Sequence, residues 1–175
     1  MNRMNVPAIV KQIKASEKGR LIWQVKDGKH YVTNSHWALR TDRMDTKVLS
    51  QLVSIFGRVI NEGESLNYSG KSISDNGPDI SKIMEKQYDT PAQVTNFLLK
   101  TEKNDLRLVR INNGLAFLNE DYLGMAAKNP TGMVAQGLNS TSPFTLLDGD
   151  LLLLPVRIED EQKAAYMAQL KGAEG

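Results

Sequence analysis

Apolar positions along the chain follow two periods, and the period changes mark the elements. From Val6 onward, Ile9, Val10 and Ile13 recur at helical spacing, with Lys11, Gln12, Lys14 and Lys18 mostly on the other faces. Pro7 suits a first helical turn, where a missing N–H costs nothing, and Asn5 stands near the N-cap. Then Leu21, Trp23 and Val25 alternate with Ile22, Gln24 and Lys26, which predicts a half-buried strand. Asp27-Gly28 predicts a hairpin between Leu21–Lys26 and a long strand Lys29–Leu39. Thr46–Ile60 reads as a buried helix, Ser65–Ser69 as a short strand, and Asp79 as the cap of a short helix running to Tyr88. A second helix is expected from Pro91, with Val94, Phe97 and Leu98 as its stripe. Two hairpins follow. One pairs Leu106–Ile111 with Leu115–Leu123 across Asn112-Asn113-Gly114, and the other pairs Phe144–Leu147 with Leu151–Ile158 across Asp148-Gly149-Asp150. Residues 127–142 read as a loop, and 159–175 as a charged helix fading into a polar tail.

This order suggests a unit read twice. Val6-Pro7-Ala8-Ile9-Val10 matches Thr90-Pro91-Ala92-Gln93-Val94 at an offset of 84. Ser16-Glu17-Lys18 matches Thr101-Glu102-Lys103, and Asn34 through Trp37 matches Asn119 through Tyr122, both at 85. Matches in one order at nearly one offset point to duplication. The expected fold is α+β: two pseudo-symmetric helix-plus-hairpin halves, 1–88 and 89–175, sharing one sheet and one core. Residues 5–39 should then superpose on 89–123.

Composition narrows the function classes. With no cysteine, disulfides, thiolate zinc sites and cysteine nucleophiles are excluded. No apolar run reaches membrane-spanning length and the start does not read as a secretory signal, so a cytoplasmic protein of a bacterial host, with no membrane partner, is expected. Residues 1–88 hold 14 Lys and Arg against 9 Asp and Glu, and 89–175 hold 8 against 11; the halves carry +5 and −3 within a net charge of +2. A basic first half suits a polyanion.

Catalytic chemistry is sparse. Gly70-Lys71-Ser72 lacks the first glycine that a phosphate loop needs at position 65, which is Ser65, and Gly63 is two places too early. His30 and His36 fall on one face of the expected long strand with no third ligand nearby. The acidic groups Asp42/Asp45, Glu120/Asp121 and Asp148/Asp150 could assemble the two-metal site of a nuclease, though only proximity in sequence links them. Trp37 and Tyr122 read as repeated core aromatics. No catalytic residue, metal or cofactor is expected.

The duplicated helix-and-sheet unit resembles a domain of the DNA sliding-clamp fold, and Gly28–Trp37 looks like small phage and prophage proteins of Gram-positive bacteria. The clamp resemblance implies a clamp-domain-like sheet packed against helices whose basic faces meet DNA. It would place Lys11, Lys14, Lys18 and Arg20 of the first half, with Lys100 and Lys103 of the second, on nucleic acid. The expected function is that of a non-catalytic phage-type accessory protein contacting DNA or a nucleoprotein. The alternative is a phage-encoded inhibitor of a host defence protein such as a CRISPR nuclease. Leu151-Leu152-Leu153-Leu154 has no polar alternation, so both its faces need cover, and these residues are expected at a homodimer interface.

Overall fold

The alternating segments of the chain all enter one antiparallel sheet. The computed structural model describes residues 4–173. The chain opens with α1 (Val6–Ala15) and a 3-10 turn, Ser16–Lys18. Three strands follow, β1 (Arg20–Lys26), β2 (Lys29–Thr33) and β3 (Trp37–Thr41), then α2 (Thr46–Phe56), β4 (Ser65–Ser69), β5 (Ser72–Ser74) and α3 (Ser81–Met84). The later part comprises β6 (Thr90–Lys100), β7 (Asp105–Ile111), β8 (Gly114–Asn119), α4 (Glu120–Leu123), β9 (Val134–Gly137), β10 (Phe144–Leu146), β11 (Leu151–Leu153) and α5 (Asp160–Ala173). The strand order is β5-β4-β1-β2-β3-β11-β10-β9-β6-β7-β8.

The α+β class holds, but the expected superposition of 5–39 on 89–123 does not. Residues 6–15 are helix, whereas 90–100 form a strand. Pro91 sits on that strand opposite Gln136, and Ala92 and Val94 alternate inward as strand residues do. The register against β7 slips between Val94 and Leu98. A bulge of this kind shifts the phase of a period-two pattern, so Val94, Phe97 and Leu98 acquire helix-like spacing without a helix. Arg107 takes up the carbonyls that the bulge frees: its Nη1 donates to Asn96 O at 3.1 Å and to Thr95 O at 3.5 Å. Arg107 is itself 9% exposed, and Glu120 at the start of α4 balances its charge with a two-point ion pair.

Asn34 and Asn119 do share a local role and then diverge. Each accepts from the N–H two residues on, His36 or Asp121. Asn34 does so in the turn that splits the expected long strand into β2 and β3, while Asn119 caps α4. The likeness between halves lies elsewhere. Both β1-β2-β3-α2-β4 and β6-β7-β8-α4-β9 return their last strand to the outer side of the first, giving the orders 4-1-2-3 and 9-6-7-8. Asp45 caps α2 as Asn119 caps α4, each after a third strand.

The sheet is covered on both faces. Ile9 and Ile13 of α1 and Val48, Leu52 and Phe56 of α2 join Trp23, Val32, Leu39, Val94, Val109, Ala116, Phe144, Leu151 and Leu153 in one buried cluster, so both parts of the chain share a core. α2 stops at Phe56 rather than Ile60 because Gly57 turns left-handed at φ 74°. On the reverse face, Ile80 and Met84 pack on Ile22, Tyr31, Ala38 and Leu152 near α3. Farther along, Tyr166 of α5 and Ile158 pack against Leu106, Leu108 and Phe117. Asp79 does not cap α3: Ile80 stands at the N-cap, the N–H groups of Ile80 and Ser81 donate to Gln24 Oε1, and the helix ends at Met84 rather than Tyr88. The Asp79 carboxylate instead accepts from the side chains of Gln24, Lys26 and Ser81, and these bonds hold it well below the usual carboxylate range.

The part of the sheet from β11 to β8 is strongly curled. Five inter-strand steps would span about 24 Å in a flat sheet. Yet Val156, three residues beyond β11 and at most about 10 Å of chain away, donates its N–H to Phe117 O of β8 at 2.8 Å. Small residues inside the curl, Ala92, Ala116, Ala135 and Gly137, permit this closeness. A Cβ at Gly137 would stand 3.0 Å from both Ile111 Cδ1 and Phe144 Cε1.

His30 and His36 do not share a strand face: His30 opens the inward side of β2 and His36 is exposed in the β2–β3 turn. The Nδ1 of His30 accepts from the indole N–H of fully buried Trp23 at 3.2 Å, with the two rings stacked. Burial lowers the pKa of His30 below its ordinary 6.5, opposed by Glu62.

Two outcomes follow. Gly137→Val should lower stability by about 1–3 kcal/mol through overpacking, read as a reduced urea midpoint at unchanged slope; an unchanged midpoint would show that the curl has slack there. Because His30 is harder to protonate folded than unfolded, its contribution is fully present above about pH 6.5 and declines as pH falls through that value toward its lowered folded pKa. His30→Gln should flatten that decline in midpoints measured from pH 8 to 5. A decline of equal depth in the variant would assign it to other groups.

Candidate nucleic-acid interface

Three helices form the outer layer on one face of the sheet, in the order α4, α1, α2. Asn5 fixes the first contact: its N–H donates to Met125 O at 2.8 Å and its side-chain amide to Gly124 O at 2.9 Å. The asparagine expected to cap α1 makes no side-chain cap bond and instead ties α1 to the end of α4. α1 then lies beside α2, where an open groove is lined by Val10 and by Thr46, Lys47, Ser50, Gln51 and Ser54.

α1 buries Ile9, Gln12 and Ile13, so helical geometry turns Lys11 and Lys14 outward, and Lys18 is exposed just beyond. Lys47 is exposed in the first turn of α2 and joins this group. Among the described residues, Lys14, Lys18 and Lys47 have no carboxylate within ion-pair range. Lys11 pairs with Asp121 at 3.0 Å, but both side chains are well exposed, so the pair contributes little to stability and is readily exchanged for another anion. Of the other acids on this layer, Glu17 accepts from Gln51, Asp45 caps α2 and Glu120 holds Arg107.

Lys47 was not among the cations expected from the sequence. Its signal was available: it follows a capping Asp45 and stands three residues before Ser50 on the polar stripe of α2. Arg20 opens β1, exposed, with Nε donating to Asn67 at 3.1 Å. Lys100 and Lys103 are not on a helix. Lys100 ends β6 opposite Asp105, and Lys103 lies in the turn before β7, so the second half offers no basic helix of the kind expected.

The remaining candidates resolve into structural roles. The basis for placing Leu151–Leu154 at a homodimer interface is removed, because β11 lies between β3 and β10 with Leu151, Leu152 and Leu153 at 0–3% exposure; only Leu154 reaches the surface. Gly70-Lys71 is the two-residue turn of the β4–β5 hairpin, with both residues at positive φ. The carboxylate pairs are dispersed: Asp45 caps α2, Glu120 holds Arg107, Asp121 meets Lys11 and Asp150 pairs with Arg40. Among the described residues no three His, Asp or Glu converge as metal ligands, and no helix is long and apolar enough to cross a membrane. Trp37 is buried at the start of β3 and Tyr122 is half-buried in α4, so these aromatics are not equivalent.

Comparison of the chain with protein-family models, with curated proteins and with solved structures finds no match.

Proposed function

We propose that the chain is a non-catalytic, phage-type accessory protein with a clamp-like arrangement, whose α1–α2 face lies on the phosphate backbone of duplex DNA. The observation that carries this reading is the set of uncompensated cations Lys14, Lys18 and Lys47 on adjoining elements of one face. Hydroxyls and an amide from Ser50, Ser54 and Gln51 line the groove beside Lys47, and such groups commonly contact phosphate. The repeated strand order of the two parts supports the clamp-like comparison. Ammonium groups read charge and spacing rather than bases, so binding is expected to be independent of sequence.

Displacing counterions from three phosphates gives a slope of log Kobs against log salt of roughly −2.7. Replacing Lys14, Lys18 and Lys47 together by Glu should abolish duplex binding, whereas Lys100→Glu with Lys103→Glu should leave it within about twofold of the parent. Asp121→Asn should tighten binding, because it releases Lys11. Fluorescence anisotropy with a labelled duplex reads all three. No binding at about 50 mM salt, together with a host protein that co-purifies with the chain, would overturn the DNA reading in favour of an inhibitor of a host defence protein.

A further inference from the structure

A second concave site lies along the open edge of β8, remote from α2 in the strand order. Here the segment that leaves β11 and the first turn of α5 enclose a cleft of about 500 Å3 with β8. This is the size range of small-molecule sites. Its apolar walls come from Leu115, Phe117, Leu154, Val156 and Ile158.

The polar lining has one sign. Arg157 and Lys163 supply two cations, Ser140 and Thr141 supply two hydroxyls, and among the described residues no carboxylate lines the cleft. The β8 edge adds backbone donors. Ile111 and Gly114 close the β7–β8 hairpin, so Gly114, Ala116 and Leu118 direct their backbone groups to β7, and Leu115 and Phe117 direct theirs outward. Val156 donates to the carbonyl of Phe117, and among the described residues nothing accepts from the outward N–H of Leu115. An edge N–H without a protein partner is satisfied by solvent or by a ligand.

We propose that this cleft binds a small organic anion, with its charged head between Arg157, Lys163 and the two hydroxyls and an apolar body against Phe117 and Ile158. A neutral apolar molecule would leave the cations unmatched, and a bare inorganic anion would leave the apolar walls wet. The head is a carboxylate or a phosphate, both of which the donor set accepts.

The test uses the full chain and the anionic aromatic probe 1-anilinonaphthalene-8-sulfonate. Saturable binding with a fluorescence rise is expected, displaced by octanoate or octyl phosphate but not by octanol or inorganic phosphate at equal concentration; the tighter competitor identifies the head. Arg157→Ala with Lys163→Ala should weaken probe binding at least tenfold, and Arg157→Lys should retain most of it. Leu154→Trp should fill the cleft and block the probe, with circular dichroism confirming the fold. Displacement by octanol as effective as by octanoate would overturn the anion assignment. Absence of a saturable site, or equal binding by the double variant, would overturn the site itself. Duplex binding by the double variant should stay unchanged, which separates this result from that of the α1–α2 face.

Discussion

Everything in this fold hangs on β11, a strand that is apolar on both faces and so cannot stop at an edge. Leu151 and Leu153 enter the core beneath the helices, while Leu152 packs on the reverse side with Ala38 and Ile80. Pairing with β3 on one side and β10 on the other joins the β4-β1-β2-β3 ladder to the β9-β6-β7-β8 ladder. Arg40 secures the connection at the turn. Its side chain bonds Asp150 and the carbonyl of Asp148, where Leu147, Asp148 and Gly149 all hold positive φ. Without this splice, β3 and β10 would each present unpaired backbone groups.

The lysine-bearing face depends on a second, quieter chain of contacts. The bulge in β6 frees carbonyls that Arg107 satisfies, and the charge this buries requires Glu120. Glu120 opens α4, the end of α4 receives Asn5, and Asn5 sets where α1 begins. The direction in which Lys11 and Lys14 project is therefore set by an irregularity in a strand two elements away. An ordinary unbroken β6 would offer no carbonyls to Arg107 and no reason for Glu120 to stand where it does.

Much of the local structure was legible because periodicity and turn chemistry are local. Leu21–Lys26, Thr46–Phe56, Ser65–Ser69 and the three hairpin turns stand close to where the pattern puts them. The β6 segment was not legible as a strand, since a bulge imitates the spacing of a helix and Pro91 suits either an N-terminal turn or a strand position that donates no ladder bond. The matched segments do not correspond in structure: the sequence sets Asn34 against Asn119 through a shared turn habit, whereas Asn119 and Asp45 are the residues that cap a helix after a third strand. The cations of α1 could be read from its stripe, but which of them meets an acid could not, because Lys11 and Asp121 lie 110 residues apart in the chain. Nor could four leucines in a row reveal whether chain or partner covers them; that depends on α3, which is four residues long.

The position of β10 and β11 has a consequence for synthesis on the ribosome. These two middle strands of the sheet are encoded after all the others described, so for most of elongation β3 waits with an open edge, whereas β9 meets β10 soon after it emerges. Each ladder can pair within itself as it emerges, but the common core cannot close until Leu153 has cleared the exit tunnel. The nascent chain thus passes through an interval in which the apolar flank of β3 is open to chaperones, and the sheet is completed by the insertion of one hairpin between β3 and β9.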